Sequence, residues 1–340
     1  MKAVITGGAG FIGSNTSRRL LADGHRVRVL DLLVRPGVSA NLKWLKKEFG
    51  TRLDSHRADV RDPRSLRGLF KGADAVFHFA AQVAVTTSLE DPRTDFMHNA
   101  LGAFNMLEAC RRECPEAVVH FTSTNKVYGG MNDVRIVSRG GRYAYAGLRG
   151  GVPESRGLDF HSPYGCSKGA ADQYVRDYHR IYGQRTVVFR MSCIYGPRQF
   201  GNEDQGWLAH FCIAARRGWP ISIYGDGKQV RDVLFVGDLV DAFMLSLKNI
   251  HKTQGQVFNV GGGPSNTLSL LELIALLEKR LGRKIPVKFH GWRPGDQRVY
   301  ISDIGKIEKI LGWRPQVSPA QGVDQLLAWI DTEGSLSGER

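Results

Sequence analysis

Tyr164 and Lys168 have the residue types and the spacing of an acid/base pair. They lie four residues apart in a helical pattern that begins near Pro163, so both side chains project from one face of the predicted helix. The pKa of a free tyrosine, about 10, is too high for a base at neutral pH, but nearby positive charges, the Lys168 ammonium among them, would together lower that pKa by about 1 to 3 pH units. Thr124, at the end of a predicted strand, offers a hydroxyl that orients the same substrate oxygen. These three residues predict the removal of a proton from a substrate hydroxyl.

A glycine-rich turn near the N-terminus predicts the other half of this chemistry. It follows a short apolar run and precedes a helical pattern, which is the order strand, tight turn, helix. Gly7 allows the turn, Gly10 allows a pyrophosphate to approach the backbone, and Gly13 allows helix and strand to pack closely. The phosphates would rest on the positive end of the helix, at Phe11 and Ile12. The turn therefore predicts a dinucleotide site.

Asp31 ends the next predicted strand and favours NAD over NADP. Its carboxylate can accept hydrogen bonds from both hydroxyls of an adenosine ribose, and it would repel a 2′-phosphate. Arg35 follows closely and is able to bind such a phosphate, so the residues alone leave the choice open. A positive nicotinamide ring would further lower the Tyr164 pKa and would accept the hydride from the carbon whose hydroxyl loses its proton.

The composition predicts a soluble, two-lobed protein of the cytoplasm. The chain has 340 residues, 42% of them hydrophobic, and no apolar run approaches the ~20 residues needed to span a membrane. The five cysteines are odd in number and lack metal-ligand spacing, so we expect free thiols, no metal and a reducing compartment.

The net charge of +14 raises the question of nucleic-acid binding. The basic residues are scattered over amphipathic helical patterns without an interleaved aromatic platform, which favours solvated helix faces over a nucleic-acid surface. We therefore expect no nucleic-acid partner. The positive field would instead attract a small substrate that carries two negative charges.

Strand-like and helix-like runs alternate along the chain, which predicts an α/β fold with a doubly wound parallel sheet (Rossmann). The predicted NAD-binding domain covers 1–190, and 233–260, with two strand-like runs, is expected to return to it. A smaller α/β substrate-binding lobe covers mainly 191–331, and 332–340 is a frayed tail. In such sheets ligands bind beyond the carboxyl ends of the strands, where the following residues fall: Asp31, Asp59, Ala80, Ala81, Ser123 and Thr124.

Several strings resemble the extended short-chain dehydrogenase/reductase family over nearly the whole chain. They are the glycine-rich turn, Asp59-Val60, Phe79-Ala80-Ala81, Asn99, Ser123-Thr124 before Val127-Tyr128-Gly129, and the Tyr164/Lys168 pair. Within this family, four longer strings are most similar to the CDP-tyvelose (CDP-paratose) 2-epimerases, namely 122–129, 158–174, 204–207 and 227–232.

The resemblance implies roles for the cofactor residues. Asp59 and Val60 would hold the adenine, and Asn99 and Lys168 would bind around the nicotinamide ribose. The whole implied NAD site comprises Gly7, Gly10, Phe11, Ile12, Asp31, Asp59, Val60, Ala80, Ala81, Asn99, Tyr164 and Lys168.

The resemblance also implies that Arg231 and Arg298 bind the diphosphate of a nucleotide sugar, which suits guanidinium groups because they stay charged and offer paired donors. For Arg231, an ion pair with the adjacent Asp232 is a competing interpretation. Gln205 and Asp296 are weaker candidates for substrate contact.

Two features stay open at this point. Cys193 follows a predicted strand near the expected nicotinamide, where it would either transfer a proton to the substrate or, as we favour, pack as a buried thiol. The Gly/Arg-rich segment 130–157 joins the strand of Thr124 to the helix of Tyr164. It is either a lid over the substrate or a flexible surface loop.

The implied reaction is a redox-neutral epimerisation of a nucleotide-diphosphate sugar at carbon 2, through a 2-keto intermediate with hydride stored transiently on NAD. The same residues would serve a nucleotide-sugar 4-epimerase of the UDP-galactose type, so that alternative stays open, as does a non-catalytic NAD-binding scaffold. A 4,6-dehydratase needs carboxylates just after Thr124, where this chain has Asn125 and Lys126.

The resemblance also carries an expectation about assembly. Members of the family commonly pair through two long helices from each subunit. Here the corresponding segments run from Pro92 to Arg112 and from Pro163 to Tyr182. We therefore expect a homodimer or a homotetramer.

Overall fold

The computed structural model describes residues 1–293 and 296–332, so the predicted tail lies outside the described residues except for Thr332. The strands are β1 (Lys2–Thr6), β2 (Arg26–Asp31), β3 (Leu53–Arg57), β4 (Ala75–His78), β5 (Val118–Thr124), β6 (Ile136–Arg139), β7 (Arg142–Tyr145), β8 (Arg185–Met191), β9 (Cys193–Tyr195), β10 (Ile221–Tyr224), β11 (Val230–Phe235), β12 (Val257–Val260), β13 (Thr267–Ser269), β14 (Val287–His290) and β15 (Val299–Tyr300). The α-helices are α1 (Phe11–Ala22), α2 (Val38–Phe49), α3 (Pro63–Leu66), α4 (Val85–Glu90), α5 (Pro92–Phe96), α6 (Gly102–Glu113), α7 (Ser162–Tyr182), α8 (Trp207–Arg217), α9 (Val236–Lys248), α10 (Ile250–Thr253), α11 (Leu270–Leu281), α12 (Gly305–Leu311) and α13 (Pro319–Thr332). A π-helical turn, Met97–Leu101, joins α5 to α6. Within the described ranges, none of these helices combines the length and the hydropathy of a membrane-spanning segment.

A seven-stranded parallel sheet has the strand order β12-β8-β5-β4-β1-β2-β3. The strand order reverses at β1. Strands β2 and β3 lie on one side of β1, and the chain then returns to β4 on its other side. Residues of β4 and β5 are buried throughout, as expected for strands with helices on both faces. This arrangement confirms the predicted doubly wound α/β class.

The first compact unit consists of 1–127, 160–190 and 240–258. Its core packs aliphatic and aromatic side chains of the sheet against α6 and α7, and includes Val76, Phe121, Met106, Val175 and Val188. The long helix α7 has Pro163 in its first turn and ends at Gly183, which is left-handed with φ of 67°. That helix carries Tyr164 and Lys168.

The second unit consists of 128–159 and 191–239, together with 259–293 and 296–332 of the remaining chain. Strand β11 is central to a four-stranded sheet, where it pairs with β13 in antiparallel fashion and with β9 and β15 in parallel fashion. The core of this unit packs α8, α11 and α13 around apolar residues such as Phe211, Leu273 and Leu326. Helix α11 begins with a capping box between Ser269 and Glu272.

The unit boundaries differ from the predicted domains in two segments. Of the two strand-like runs in 233–260, only β12 joins the seven-stranded sheet, because β11 pairs with β9, β13 and β15 instead. The segment 128–159 belongs to the second unit rather than to the predicted domain 1–190.

The Gly/Arg-rich segment contains a β-hairpin, formed by β6 and β7 in antiparallel register. Several hydrogen bonds fix this hairpin within the second unit. The Tyr143 N–H donates to the Lys228 carbonyl at 3.0 Å, and the Tyr145 hydroxyl donates to the Val299 carbonyl at 2.9 Å. Arg142 donates to Thr267 Oγ1 at 2.7 Å. The hairpin therefore has defined partners, unlike the flexible loop that was one of the two expectations.

Candidate active site

The glycine-rich turn connects β1 to α1 in the first unit, and its three glycines face different surroundings. Gly7 has φ of 68°, and a methyl group on it would lie 2.7 Å from the Ala80 nitrogen. A methyl group on Gly13 would lie 2.1 Å from the Gly7 oxygen. On Gly10, by contrast, it would have only the Gly7 oxygen within 4 Å among the described residues, at 3.2 Å. The turn is therefore closely packed at Gly7 and Gly13 and open at Gly10.

The start of α1 supplies backbone donors beside that open face. The N–H groups of the first helical residues, Phe11 and Ile12, have no acceptor within the helix, as at any helix N-terminus. An anion is attracted to such an end by the helix dipole. The closely packed turn, the open glycine and the helix end fit the pyrophosphate of a dinucleotide.

Asp31 ends β2 beside the same turn, and its carboxylate already holds two backbone groups. Oδ2 accepts the Ala9 N–H at 3.1 Å and Oδ1 accepts the Leu33 N–H at 2.9 Å. Burial raises the pKa of this carboxyl, and the two hydrogen bonds oppose that rise. A carboxylate has about four acceptor sites, so about two remain for the hydroxyls of a ribose. Asp31 thus both shapes the turn and fits the predicted ribose contact.

Asp59 and Val60 follow β3, at the same edge of the sheet. The Asp59 carboxylate forms an ion pair with Arg61, with Nη2 to Oδ2 at 2.6 Å, and this guanidinium holds the pKa of Asp59 below its usual range. The Val60 side chain is buried so closely against Gly102 that a methyl group there would lie 2.7 Å from Val60 Cγ2. The adenine contact of these residues stays a prediction.

Asn99 lies in the π-helical turn, and its side-chain amide is fully engaged within the first unit. Its Oδ1 accepts the Gln82 N–H at 2.9 Å, and its Nδ2 donates to Asp95 Oδ1 at 3.0 Å and to Ser167 Oγ at 3.2 Å. It therefore ties the loop that follows Ala81 to the helix of Tyr164. Its contact with the nicotinamide ribose stays a prediction.

Sequence reasoning missed Asp95 and Ser167, which complete this network. Asp95 is fully buried, and the Ser167 hydroxyl donates to its Oδ2. Burial raises the pKa of Asp95, whereas the Ser167 hydrogen bond and the charge of Lys168 oppose that rise. A signal was available in the sequence, since Asp95 precedes Asn99 by one helical turn and Ser167 precedes Lys168 directly.

The three predicted catalytic residues lie together in the first unit. Thr124 is the last residue of β5, and its hydroxyl lies close enough to the phenol of Tyr164 on α7 to lower the pKa of that phenol. The Lys168 ammonium donates to the Thr122 carbonyl at 2.6 Å and lies 4.4 Å from the centroid of the Phe121 ring. Tyr164 and Lys168 are 9% and 4% exposed, respectively. The site is therefore largely shielded from water.

Burial dominates the ionisation of both residues. It raises the pKa of Tyr164 to about 12, although the Thr124 hydrogen bond lowers it, and it lowers the pKa of Lys168 to about 8, although Asp172 and Asp95 raise it. The Tyr164 pKa is thus raised in this structure, contrary to the expectation that the Lys168 ammonium lowers it. The reason is that this ammonium is directed at the Thr122 carbonyl and burial outweighs the other contributions.

A Lys168→Met variant is expected to be inactive but more stable than the wild type at pH 7, by about 1–3 kcal/mol. The folded-state pKa of about 8 lies below the ordinary 10.5, so folding disfavours the charged form. This destabilisation is fully present below about pH 8 and disappears as the pH rises towards 10.5. Urea unfolding at pH 7 and pH 10 should therefore show a gain that shrinks at the higher pH. An equal gain at both pH values would contradict the assignment.

Apart from Thr124, the predicted substrate residues lie in the second unit, where Arg231 and Asp296 form an ion pair. The Arg231 Nη2 is 2.6 Å from Asp296 Oδ1, and the guanidinium also donates to the Gln297 and Val230 carbonyls. The competing pair with Asp232 is not formed, because that carboxylate accepts hydrogen bonds from Ser192 and from the Gly263 N–H. Arg231 is buried, and three hydrogen bonds hold its two terminal nitrogens.

Arg298, Cys193 and Gln205 have other surroundings. The Arg298 side chain is exposed and lies over two aromatic rings. Cys193 Sγ accepts the Trp207 indole N–H at 3.4 Å, which fits the packing interpretation. Gln205 exchanges backbone hydrogen bonds with Asn202 at 3.0 and 3.2 Å, and no contact to a substrate group follows from its position.

Residues 125 and 126 follow Thr124 in a short 3₁₀ helix, Asn125–Tyr128. The Lys126 N–H donates to Thr124 Oγ1 at 3.3 Å. An amide and an ammonium therefore stand where the resemblance places the carboxylates of a dehydratase.

Comparison with known proteins agrees with this geometry. A family model described as GDP-mannose 4,6 dehydratase matches residues 4–326. CDP-paratose 2-epimerase from Salmonella typhi is 44% identical, over 98% of this chain and 100% of that protein, and UDP-glucose 4-epimerase from Mycolicibacterium smegmatis is 35% identical, over 95% and 96%. The crystal structure of DesIV, a dTDP-glucose 4,6-dehydratase from Streptomyces venezuelae with NAD bound, has a TM-score of 0.85 at 31% identity and covers 98% of each chain. The chain therefore belongs to the GDP-mannose 4,6-dehydratase family of NAD-dependent epimerases and dehydratases.

Proposed function

We propose that this chain is an NAD-dependent epimerase that inverts carbon 2 of a nucleotide-diphosphate sugar of the CDP-paratose/CDP-tyvelose type. The observation that carries the proposal is the 44% identity to CDP-paratose 2-epimerase over 98% of this chain and 100% of that protein, together with the Thr124 hydroxyl beside the phenol of Tyr164. Dinucleotide use by structural neighbours and the fit of the glycine-rich turn support NAD as the cofactor.

Tyr164 is the proton acceptor and donor of the proposed reaction. The Thr124 hydroxyl orients the carbon 2 oxygen, and Tyr164 takes the proton from that oxygen as the alcohol becomes a ketone; it must do so as the phenolate, a form that the positive charge of bound NAD would favour by lowering its pKa. Bound NAD would supply a reversible acceptor for the hydride from the same carbon. Tyr164 later returns the proton to the oxygen, so the protein is unchanged after one turnover.

Inversion requires that the keto sugar turns between the two proton transfers. The diphosphate must stay bound during this movement, whereas the sugar ring must be held loosely. Arg298 is exposed, and its guanidinium forms no hydrogen bond with the described residues, so it is available for the diphosphate. Arg231, with its donors engaged by Asp296 and by carbonyls, has the role of fixing the backbone next to Arg298.

The decisive experiment incubates the NAD-loaded protein with a panel of CDP-, UDP- and GDP-sugars in deuterated water and locates the inverted carbon by NMR. We expect inversion at carbon 2 of CDP-paratose with little deuterium at that carbon, because the transferred hydrogen does not exchange with solvent. Inversion at carbon 4 of a UDP-sugar would replace the proposal by the alternative that the similarity to UDP-glucose 4-epimerase suggests. NAD binding without any turnover would favour the non-catalytic scaffold.

Elimination of water is not expected in this panel. Asn125 and Lys126 follow Thr124, and neither side chain is a carboxylic acid able to protonate a leaving hydroxyl. A 4-keto-6-deoxy product in the NMR spectra would contradict this part of the proposal.

The proposed assembly is a homodimer, or a tetramer built from dimers, formed through α6 and α7. These helices expose apolar and aromatic side chains, among them Tyr174 at 49%, Ile181 at 66% and Tyr182 at 54%. Phe104 and Tyr174 make an edge-to-face contact with ring centroids 5.8 Å apart, which forms a continuous aromatic patch across both helices. Such a patch suits the same patch of a second copy.

Tyr174→Glu is expected to shift the protein to monomers, because it places a charge at the centre of this patch. Sedimentation velocity measures the change, and Arg139→Glu, on the hairpin, is the matched control. A wild type that sediments as a monomer would refute the proposed assembly.

A cytoplasmic location is part of the proposal. The five cysteines all have free thiols, which fits a reducing compartment. Fractionation of cells that produce the protein tests this, and recovery in an extracellular fraction would refute it.

A further inference from the structure

Arg298 lies over the faces of two aromatic rings in the second unit. Its guanidinium carbon is 5.4 Å from the centroid of Tyr143 and 5.7 Å from that of Trp292. Both distances lie within the range of a cation–π interaction. Within the described part of the chain, the guanidinium donors of Arg298 form no hydrogen bond, in contrast to those of Arg231.

Both rings are fixed by one turn between β10 and β11. Gly225 has φ of 95°, and a methyl group on it would lie 2.9 Å from the Trp292 ring. Only glycine at this position therefore leaves room for that ring. The next residue, Asp226, accepts the hydroxyl of Tyr143 at 2.7 Å. The two rings beside Arg298 thus come from different parts of the sequence, and both contact the turn that contains Gly225 and Asp226.

Tyr143 belongs to the β6–β7 hairpin, a segment that takes no part in the proposed proton and hydride transfers. Its ring position is determined at both ends, because the backbone N–H donates to Lys228 and the hydroxyl donates to Asp226. The hairpin therefore brings an aromatic face to Arg298 with little freedom to move. Tyr143 itself is only partly exposed.

We propose that Tyr143 is a positioning residue for substrate binding: its ring, together with Trp292, holds the Arg298 guanidinium so that its N–H donors are presented to the diphosphate of a nucleoside diphosphate. This inference rests on the proposed nucleotide-sugar substrate and assigns the hairpin a role as a fixed wall for Arg298. A guanidinium that stacks on ring faces keeps its donors free in its own plane, where they match paired phosphate oxygens.

Preorganisation is the physical gain from this arrangement. A free arginine side chain has many rotamers, and binding a phosphate would restrict them at a cost in affinity. The two rings restrict the guanidinium before the ligand arrives. They act on binding and do not touch the atoms that react at Tyr164, so the effect should appear in KM and in Kd rather than in kcat.

The test compares Tyr143→Leu, which removes the ring, with Tyr143→Phe, which keeps the ring and loses only the bond to Asp226. Calorimetric titration with CDP, the ligand probe, should give a Kd about three- to tenfold higher for Tyr143→Leu and nearly unchanged for Tyr143→Phe. KM for the nucleotide sugar should rise in parallel at constant kcat. Equal losses in both variants would overturn the inference, because they would assign the effect to the support of the hairpin by Asp226.

A double-mutant cycle with Arg298→Gln separates positioning from general damage. Arg298→Gln alone should weaken CDP binding by about 10- to 100-fold, and adding Tyr143→Leu should then have little further effect. Full additivity of the two changes would refute the inference, because Tyr143 would then act independently of Arg298. Thermal unfolding of each variant verifies that the second unit remains folded.

The outcomes also distinguish this inference from the proposed function. A wild type that binds CDP without epimerising any sugar would refute the proposed reaction, while the cycle on CDP binding would still decide the role of Tyr143. A wild type that epimerises CDP-paratose, with CDP binding unaffected by Tyr143→Leu, would refute the inference alone. If no nucleoside diphosphate binds the wild type, both fail.

Discussion

Tyr164→Phe is expected to lower kcat about a thousandfold and to leave the fold and NAD binding intact, because the variant loses only the hydroxyl that we propose as the proton acceptor. The ring of Tyr164 is buried on α7, and phenylalanine fills the same space. The Thr124 hydroxyl keeps its hydrogen bond to Asn125 Oδ1 and the one that it accepts from the Lys126 N–H. Steady-state kinetics with CDP-paratose measures the loss, and calorimetry measures NAD affinity.

Tyr174→Phe is the matched control, since this tyrosine lies on the same helix and is 49% exposed. It should behave as the wild type in both measurements. Substantial turnover by Tyr164→Phe would transfer the acid/base role to another residue. A loss of NAD binding in that variant would instead show that the phenol acts mainly through the cofactor site.

Asp172→Asn is expected to reduce the free energy of unfolding by about 3–5 kcal/mol, a large share of the ~5–15 kcal/mol of a typical protein. Asp172 and Arg190 form a bidentate ion pair at 2.9 and 3.0 Å, with side chains 0% and 3% exposed. The variant replaces the carboxylate that faces this buried guanidinium by a neutral amide. Asp172 lies one helical turn after Lys168, so the pair also fixes the helix of Tyr164 and Lys168 on β8.

Urea unfolding measures this loss, with Asp177→Asn as the control at an exposed position of the same helix. A second variant, Asp172→Leu combined with Arg190→Met, removes both charges and should recover much of the stability. If the single and double variants were equally unstable, packing at this position rather than the unpaired charge would be responsible.

The residues near the sheet could be predicted because local chemistry determines them. Gly7 needs a left-handed φ, Asp31 ends an apolar strand, and Tyr164 and Lys168 are separated by one helical turn. The fold class followed from the alternation of these elements and is confirmed by the seven-stranded sheet. None of these inferences depends on which distant segments meet.

The parts that differed from prediction do depend on distant contacts. Arg231 pairs with Asp296 rather than with its neighbour Asp232. The pairing of β11 with β15 brings the residues just before β15, Asp296 among them, next to Arg231. The hairpin joined the second unit through Tyr143 and Tyr145, whose acceptors lie far along the sequence. The ionisation of Tyr164 reflects burial, which spacing along a helix does not reveal.

The interleaved course of the chain has a consequence for its biosynthesis. Strand β8 is almost wholly buried in the finished sheet, between β5 and β12, yet β12 lies far downstream of it. On the ribosome, β8 therefore emerges long before its outer neighbour and presents an unpaired apolar edge to other nascent chains. A fragment that stops at 190 keeps this edge permanently, so we expect such a fragment to aggregate, and the enzyme to mature only after release of its last third.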